Sequence, residues 1–279
     1  MTTKSELEPV RSLRVGRGEP LVLIHPFTTN ARIWRGVAEE LADRFDVLMV
    51  TLPGHYGADK APFGDITIPK LADFVEAAMD EVGWKTAHVA GNSLGGWLSL
   101  ELGARGRART VTAFAPAGGW GGRFDLKRTV PVGLKFLAIA PLAVFARVAE
   151  PVVGNWGFAH QVMLRLVAGN PANVEFRDSR AMMRASTHCN GYLAVLANGF
   201  RHGGMANMED VAVPVRLVLC EKDAIIPPEK YGALYEETLP NSHTVMLEGI
   251  GHVPMLEAPE LCADLIAEHA MAHRLPVAI

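Results

Sequence analysis

The chain has 279 residues, 49% of them hydrophobic, and its 27 basic residues nearly balance 30 acidic ones for a net charge of -3. This length and hydrophobic content suit one large core, so a single α/β domain carrying an insertion is expected. The balance of charge argues against the strongly basic face that nucleic-acid binding requires, and no nucleic-acid partner is predicted.

The N-terminal stretch MTTKSELEPVRSLRVGRGE is polar. It lacks the apolar segment that defines a secretory signal peptide. The sequence therefore predicts a cytoplasmic protein.

Short apolar runs follow one another along the chain without alternating with polar residues. Such runs are typical of parallel strands that are buried on both faces of a sheet. The predicted strands cover residues 21–25, 46–52, 86–91, 110–115, 215–220 and 243–247.

Apolar residues at helical spacing lie between these runs. The predicted helices cover residues 31–43, 69–82, 94–105, 228–238 and 259–273, and Asn30 is expected to cap the first of them. The alternation of strand and helix predicts a mostly parallel, doubly wound α/β sheet. Catalytic side chains of such sheets collect at the carboxyl ends of the strands.

The alternation stops once, between residues 117 and 213, where apolar, helix-like stretches replace the strands. We predict a helical cap here, inserted into a core made of residues 1–116 and 214–279. Part of the cap, residues 130–153, is long and apolar, but prolines interrupt it and it contains Lys135 and Arg147. Prolines and charges disfavour a spanning helix, so we expect a buried or mobile lid and no stable membrane insertion.

The stretch GNSLGG, residues 91–96, places Ser93 where the third predicted strand meets its helix. A sharp strand-to-helix turn strains the residue at its apex and tolerates only small neighbours, which Gly91 and Gly95 provide. Such a nucleophile elbow exposes the Ser93 hydroxyl at a helix N-terminus. The Leu94 N–H can donate there to a developing negative charge and form part of an oxyanion hole.

A serine nucleophile needs a base, and the base needs an orienting carboxylate. His252 is the candidate base because it follows a predicted strand, in a glycine-rich turn before the last helix. Asp223 is the candidate carboxylate because it comes just after the strand ending at residue 220, with Glu221 as a weaker rival. The chain order Ser93, Asp223, His252 is the one expected for this fold and differs from the two other common serine-hydrolase orders.

The second oxyanion donor is expected in the loop after the first predicted strand, IHPFTTNARIW. Pro26 has no N–H, so the Phe27 N–H is the candidate donor. His25 is expected to support this loop rather than to transfer protons.

Five motifs in chain order resemble the α/β-hydrolase superfamily: HPF, LPGHYGAD, GNSLGG, EKDAIIP and GIGHVPMLE. The resemblance covers residues 13–115 and 214–273 and leaves the predicted cap outside it. It implies the α/β-hydrolase fold and a Ser-His-Asp catalytic triad. The chain departs from most relatives at Pro26, where they carry glycine, so the conformation of this loop is not implied by the resemblance.

Resemblance to particular branches of the superfamily leaves other activities open. Haloalkane dehalogenases and epoxide hydrolases of this fold use an aspartate at the elbow, where this chain has Ser93. Ring-cleavage C–C hydrolases often share the elbow motif, but they usually have tryptophan at the position of Val253 and use a cap arginine, for which Arg177, Arg180 and Arg184 are candidates. Cofactor-free haloperoxidases with perhydrolase activity share the triad, and a ligand receptor can retain it without being an enzyme.

The sequence favours a serine hydrolase acting on a carboxylic ester or a related acyl substrate. Ser93 would attack the carbonyl carbon, with His252 as base and Asp223 as its orienting group, and the oxyanion would lie between the two backbone amides. The histidine pair nearest to a metal-binding spacing is His269 and His273, at i, i+4 on the last predicted helix, and we interpret it as an exposed helix end. No phosphate loop or dinucleotide fingerprint occurs, so neither a metal nor a cofactor is expected.

The predicted cap is expected to select a small-molecule substrate with an apolar portion. This expectation rests on its large apolar residues: Trp120, Phe124, Phe136, Leu137, Phe145, Trp156, Phe158 and Met163. The sequence leaves the oligomeric state and the natural substrate open.

Overall fold

The computed structural model describes residues 7–121 and 126–274. Across them runs a seven-stranded sheet with the strand order β1-β3-β2-β4-β5-β6-β7, in which only β1 is antiparallel to its neighbour. The strands are β1 (Ser12–Gly16), β2 (Glu19–Ile24), β3 (Phe45–Val50), β4 (Ala87–Asn92), β5 (Ala108–Phe114), β6 (Val215–Cys220) and β7 (Ser242–Leu247).

Helices cover both faces of this sheet. They are α1 (Arg35–Leu41), α2 (Ile68–Glu81), α3 (Leu94–Ala104), α4 (Leu126–Val153), α5 (Gly157–Leu164), α6 (Phe176–Thr187), α7 (Tyr192–His202), α8 (Pro228–Thr238), α9 (Pro254–Glu257) and α10 (Pro259–Ala272). The predicted doubly wound α/β architecture is therefore confirmed.

Strand β2 shows why the apolar runs do not alternate. Leu21 and Leu23 belong to one hydrophobic cluster, and Val22 and Ile24 belong to the cluster on the opposite face. All four side chains are fully buried. A strand that is covered on both faces needs apolar residues at every position, which gives the continuous run seen in the sequence.

Two details of the N-terminal region differ from the prediction. Strand β1 was not predicted, because it is an edge strand with mostly exposed residues and has no apolar run. The predicted helix 31–43 is a 3-10 turn, Ala31–Trp34, followed by α1. Asn30 does cap this turn, since its side-chain oxygen accepts from Arg32 N at 3.1 Å.

A long segment separates two neighbouring strands of the sheet. Strands β5 and β6 pair in parallel, and the described residues between them form α4 to α7 without a strand. The segment is tied to the core by the hydrogen bond from Gly191 N to Gly54 O at 2.7 Å. The division into core and cap stays a prediction, and residues 117–213 are called the insertion below.

No helix in the described part of the chain has the length and apolar character needed to cross a bilayer. Of the large apolar residues predicted to face a substrate, Phe124 lies outside the described residues, as does the side chain of Phe145.

Candidate active site

Ser93 lies at the tight turn between β4 and α3. Its φ of 55° and ψ of -113° form a positive-φ conformation that is costly for a residue with a Cβ. Three hydrogen bonds hold its backbone there. The Ser93 N–H donates to Phe114 O at 2.9 Å, and the Ser93 carbonyl accepts from Trp97 N at 3.0 Å and from Ala117 N at 2.9 Å.

Close packing around this turn explains the glycines that flank Ser93. A Cβ on Gly91 would collide with the Gly95 carbonyl oxygen, and a Cβ on Gly95 would collide with the Ile24 carbonyl oxygen. The first turn of α3 therefore packs directly on the end of β2. A side chain at Gly91 or Gly95 would push these two backbone segments apart, because the atoms it meets first are backbone carbonyl oxygens that cannot rotate away.

Asp223 and His252 follow the ends of β6 and β7 and contact each other. His252 Nδ1 donates to Asp223 Oδ2 at 2.7 Å, and Asp223 Oδ1 accepts from the N–H groups of Ile225 and Ile226, both at 2.8 Å. The Asp223 side chain is completely buried. Because a carboxylate only accepts hydrogen bonds, Nδ1 carries the ring proton, and Nε2 of neutral His252 is left as an acceptor.

Glu221, the rival carboxylate, makes different contacts. Its Oε2 accepts from Gly249 N at 2.8 Å, and its Oε1 lies 3.5 Å from Lys222 Nζ. The hydrogen bond from Gly249 lowers the pKa of Glu221. The structure therefore brings Asp223 to His252 and leaves Glu221 at the surface.

Ser93 and His252 line the same cavity, which has a volume of about 150 Å³. Both residues are nearly buried, with 4% and 5% of their surface exposed. Within the described residues, no hydrogen bond joins the Ser93 hydroxyl to His252 Nε2. Catalytic hydrogen bonds are often long before a substrate binds and shorten in the complex.

The loop after β2 is fixed through the carbonyl of Pro26. This oxygen accepts from His25 Nδ1 at 2.7 Å, from Thr29 Oγ1 at 3.0 Å and from Thr29 N at 3.3 Å. In a trans peptide the carbonyl and the following N–H point in opposite directions, so the Phe27 N–H faces away from these donors. Leu94 N–H lies in the first turn of α3, where amides have no acceptor within the helix. Phe27 shares a cavity wall with Ser93 and Leu94.

The buried ring of His25 connects this loop to the backbone of Leu52. Its Nε2 accepts from Leu52 N at 2.9 Å, so its Nδ1 carries the proton that is donated to Pro26. Burial, together with the ring of His55 at 4.8 Å, holds the pKa of His25 well below its usual value. A permanently neutral His25 suits the supporting role that the sequence predicts.

Asn92 is a buried polar residue that the sequence analysis did not identify. Its side-chain Nδ2 donates to Phe114 O at 3.0 Å and to the main-chain oxygen of His252 at 2.9 Å. The available signal was an amide side chain at the end of an otherwise apolar strand, directly before Ser93. A buried amide in such a place needs partners, and here one partner is at the end of β5 and the other is in the loop that contains His252.

Glu257 is a second residue that was missed. Its buried carboxylate accepts from Gly251 N at 2.8 Å, from Gly169 N at 3.0 Å and from Asn170 N at 2.8 Å. It therefore joins the loop of His252 to the insertion. The available signal was an acidic residue inside the apolar stretch VPMLEAP.

Two cavities meet at Ser93 and Phe27. The larger has a volume of about 280 Å³ and a mostly apolar wall that includes Leu94, Trp97 and Val195, whereas the smaller one contains His252. The predicted apolar residues divide among three places. Trp120 lines the larger cavity, Met163 the smaller and Phe136 both, while Leu137, Trp156 and Phe158 are more than half exposed.

The arginines considered for a C–C hydrolase lie on α6. None of Arg177, Arg180 and Arg184 is among the described residues that line either cavity. Arg177 pairs with Glu175 at 2.6 Å, and Arg184 pairs with Glu150. Arg177 and Arg184 therefore each have an acidic partner outside both cavity walls.

Known proteins are similar to this chain in sequence and in fold. Residues 21–265 match the model of the alpha/beta hydrolase family. The chain is 39% identical over 197 residues to epoxide hydrolase EphH of Mycobacterium tuberculosis. The aligned region covers 70% of this chain and 91% of that protein. It is 27% identical over 267 residues to the pimeloyl-[acyl-carrier protein] methyl ester esterase of Aeromonas hydrophila, covering 92% and 96%.

A solved structure is also similar. The thermophilic esterase from Thermogutta terrifontis superposes with a TM-score of 0.70 over 93% of both chains at 21% identity. At that identity the likeness concerns the fold alone.

Proposed function

The chain belongs to the alpha/beta hydrolase family and is a hydrolase, and we propose that it cleaves a carboxylic ester or a related acyl substrate through Ser93, His252 and Asp223. The observation that carries the proposal is the 2.7 Å hydrogen bond between His252 Nδ1 and buried Asp223, beside a cavity shared with Ser93. It fixes the tautomer that a general base needs.

The reaction begins when Ser93 Oγ attacks the substrate carbonyl carbon and its proton passes to His252 Nε2. The negative charge on the carbonyl oxygen is stabilised by the Phe27 and Leu94 amides. The His252 imidazolium, stabilised by Asp223, gives its proton to the leaving oxygen, and an acyl-Ser93 ester remains. Water then attacks this ester while His252 accepts its proton, and the acid is released with Ser93 restored.

The name of the relative EphH makes epoxide opening a second candidate. Attack of a serine oxygen on an epoxide would form an ether, which has no carbonyl for the oxyanion donors to polarise. Attack on an ester carbonyl forms an acyl ester that water can cleave. Ser93 at the elbow therefore supports acyl chemistry, and an epoxide would have to be opened directly by water with His252 as base.

Other activities share parts of the same machinery. Perhydrolysis would use the acyl-Ser93 ester with hydrogen peroxide in place of water. C–C hydrolysis of an acidic diketone calls for cationic groups beside the substrate, and the arginines of α6 do not line either cavity among the described residues. A receptor would retain the triad but turn over once, slowly, leaving a modified histidine.

The test combines a covalent probe with a substrate panel. A fluorophosphonate should label wild-type protein at Ser93 and should not label Ser93→Ala, and only the wild type should hydrolyse simple esters in the steady state. The panel also includes an epoxide and an acidic diketone, which test epoxide opening and C–C hydrolysis, and a peracid assay tests perhydrolysis. Labelling at another residue would contradict the proposal, as would ester turnover or epoxide opening that Ser93→Ala leaves intact.

A further inference from the structure

The two cavities that meet at Ser93 contain different members of the proposed catalytic machinery. Leu94, one of the oxyanion donors, lines only the larger cavity, and His252 lines only the smaller one. Ser93 and Phe27 line both. The two sides of the nucleophile are therefore chemically unequal.

The chemistry of ester cleavage assigns a direction to each substrate part. After attack, the carbonyl carbon carries Ser93 Oγ, the oxyanion, the leaving oxygen and the acyl chain. The leaving oxygen takes its proton from His252 Nε2, so it must come within hydrogen-bond reach, about 2.6–3.2 Å, of that atom. The alcohol must then extend along the wall that contains His252, and the acyl chain must extend the other way.

We propose that the larger cavity binds the acyl chain and the smaller cavity binds the alcohol. This assignment rests on the proposed function. The larger cavity, about 280 Å³, has nearly twice the volume of the smaller one, about 150 Å³. The preferred substrates are accordingly esters of an apolar acid of medium length with a smaller alcohol.

The charges in the walls define the substrate further. Among the described residues, the smaller cavity has no acidic, lysine or arginine side chain in its wall. Glu101 is the charged side chain in the wall of the larger cavity, and its Oε1 accepts from Arg105 Nε at 2.8 Å. In the part of the chain that the structure describes, neither wall contains a lysine or arginine that could pair with a carboxylate on the substrate, so both parts of the substrate are neutral.

Gly199 allows the larger cavity to be altered without rebuilding it. This residue lies on α7 in the cavity wall beside Val195 and Leu196, and a Cβ placed on it meets no described atom within 4 Å. Gly199→Leu should extend into the open space, and Gly199→Ala is the matched control because it adds one methyl group to a helical position.

Leu166 serves the smaller cavity in the same way. Leu166 lines the smaller cavity but not the larger one, and it is 41% exposed, so a larger side chain can be accommodated there. Leu166→Trp should narrow the space for the alcohol, and Leu166→Met is the control that keeps the volume nearly unchanged.

Two isomeric esters test the assignment in the wild-type protein. Methyl octanoate and heptyl acetate have the same formula but exchange the long chain between acyl and alcohol sides. We expect kcat/KM, measured by acid release, to favour methyl octanoate by about tenfold or more, since several methylene groups are buried on one side only. Preference for heptyl acetate would overturn the assignment without needing any variant.

The variants test each cavity separately. Gly199→Leu should lower kcat/KM on methyl octanoate by about tenfold and change that on heptyl acetate by less than about threefold, with the reverse pattern for Leu166→Trp. The two controls should keep the wild-type ratio. Equal losses on both esters in a folded variant would overturn the assignment.

Fluorophosphonate labelling of Ser93 separates this failure from a failure of the proposed function. If labelling persists while the preference is reversed, only the cavity assignment is wrong. If wild-type protein neither labels nor hydrolyses either ester, the proposed function is wrong and the assignment fails with it.

Discussion

The side-chain amide of Asn92 donates a 2.9 Å hydrogen bond to the main-chain oxygen of His252. The same amide donates to the Phe114 carbonyl, which also accepts from Ser93 N. One buried side chain thus connects the strand that leads to the proposed nucleophile with the loop of the proposed base. The relative position of Ser93 and His252 depends on it.

Asn92→Leu should therefore impair the chemical step. The variant keeps the side-chain size but leaves the main-chain oxygen of His252 without its Asn92 donor, while Phe114 O keeps the hydrogen bond from Ser93 N. The lost hydrogen bond should lower the free energy of unfolding by about 1–3 kcal/mol. We expect kcat to fall by about tenfold or more with little change in KM, because the reacting groups lose alignment.

Steady-state kinetics and urea denaturation measure these two effects. Asn241→Leu is the control, since Asn241 donates to Ala212 O just before β7 and does not contact His252. A folded Asn92→Leu variant with wild-type kcat would show that the bond serves stability alone.

The two carboxylates after β6 should behave differently on substitution. Asp223→Asn replaces an acceptor of the His252 proton with a group that can stabilise the wrong tautomer, and we expect kcat to fall by about 10⁴-fold, as in the analogous triad change. Glu221→Gln should alter kcat by less than about threefold, because an exposed surface contact contributes little. A larger loss in Glu221→Gln than in Asp223→Asn would move the orienting role to Glu221.

The Pro26 carbonyl offers a test of the proposed oxyanion hole that leaves both proposed donors, the Phe27 and Leu94 amides, in place. Thr29→Val removes the hydroxyl that donates to this carbonyl and keeps the branched shape of the side chain. Loss of an oxyanion donor itself costs about 10²–10³-fold in kcat, so loosening one of its supports should cost less, about three- to thirtyfold.

Affinity for a trifluoromethyl ketone, which forms an oxyanion adduct with serine, should fall in parallel with kcat in Thr29→Val. A change confined to KM, with unchanged affinity for the ketone, would be inconsistent with a supporting role at the oxyanion hole.

Buried histidines make stability depend on pH. Burial lowers the pKa of His55 to about 4 and that of His25 well below its usual value, so both are neutral in the folded protein. In the unfolded chain they bind protons below about pH 6.5, and stability is lost as the pH falls from there towards 4. His55 alone accounts for about 3 kcal/mol of this loss.

Urea denaturation between about pH 7 and pH 4 measures the loss directly. His55→Gln should reduce the dependence, because it removes one group that the unfolded chain protonates more readily. A free energy of unfolding that stays constant across this range would contradict the prediction.

The features that could be predicted from the sequence are those that depend on residues close together in the chain. The strands covered on both faces were visible as apolar runs, and the turn at Ser93 was visible because its small neighbours adjoin it in the chain. Strand β1 has no such run, since its pairing with β3 leaves most of its residues exposed. Asn92 could not be given its partner, because the contact with His252 spans 160 residues.

The loop at Pro26 illustrates the same limit. The chain shows that Pro26 cannot donate, but it does not show where its carbonyl points. That direction is set by His25, whose ring is itself oriented by the amide of Leu52 at the end of the neighbouring strand. Contacts of this kind depend on the assembled sheet, which a local pattern does not describe.

The hydrogen bonds of the Glu257 carboxylate limit how residues 117–213 can be exchanged between related proteins. It accepts from Gly251 beside the proposed base and from Gly169 and Asn170 in the insertion, and a Cβ on Gly251 would collide with Gly169 N. The insertion is therefore not an exchangeable module. A chimera that takes residues 117–213 from a relative receives the amides that Glu257 binds in the insertion, but not the relative's loop that corresponds to residues 251–257. That loop would have to be transferred together with the insertion.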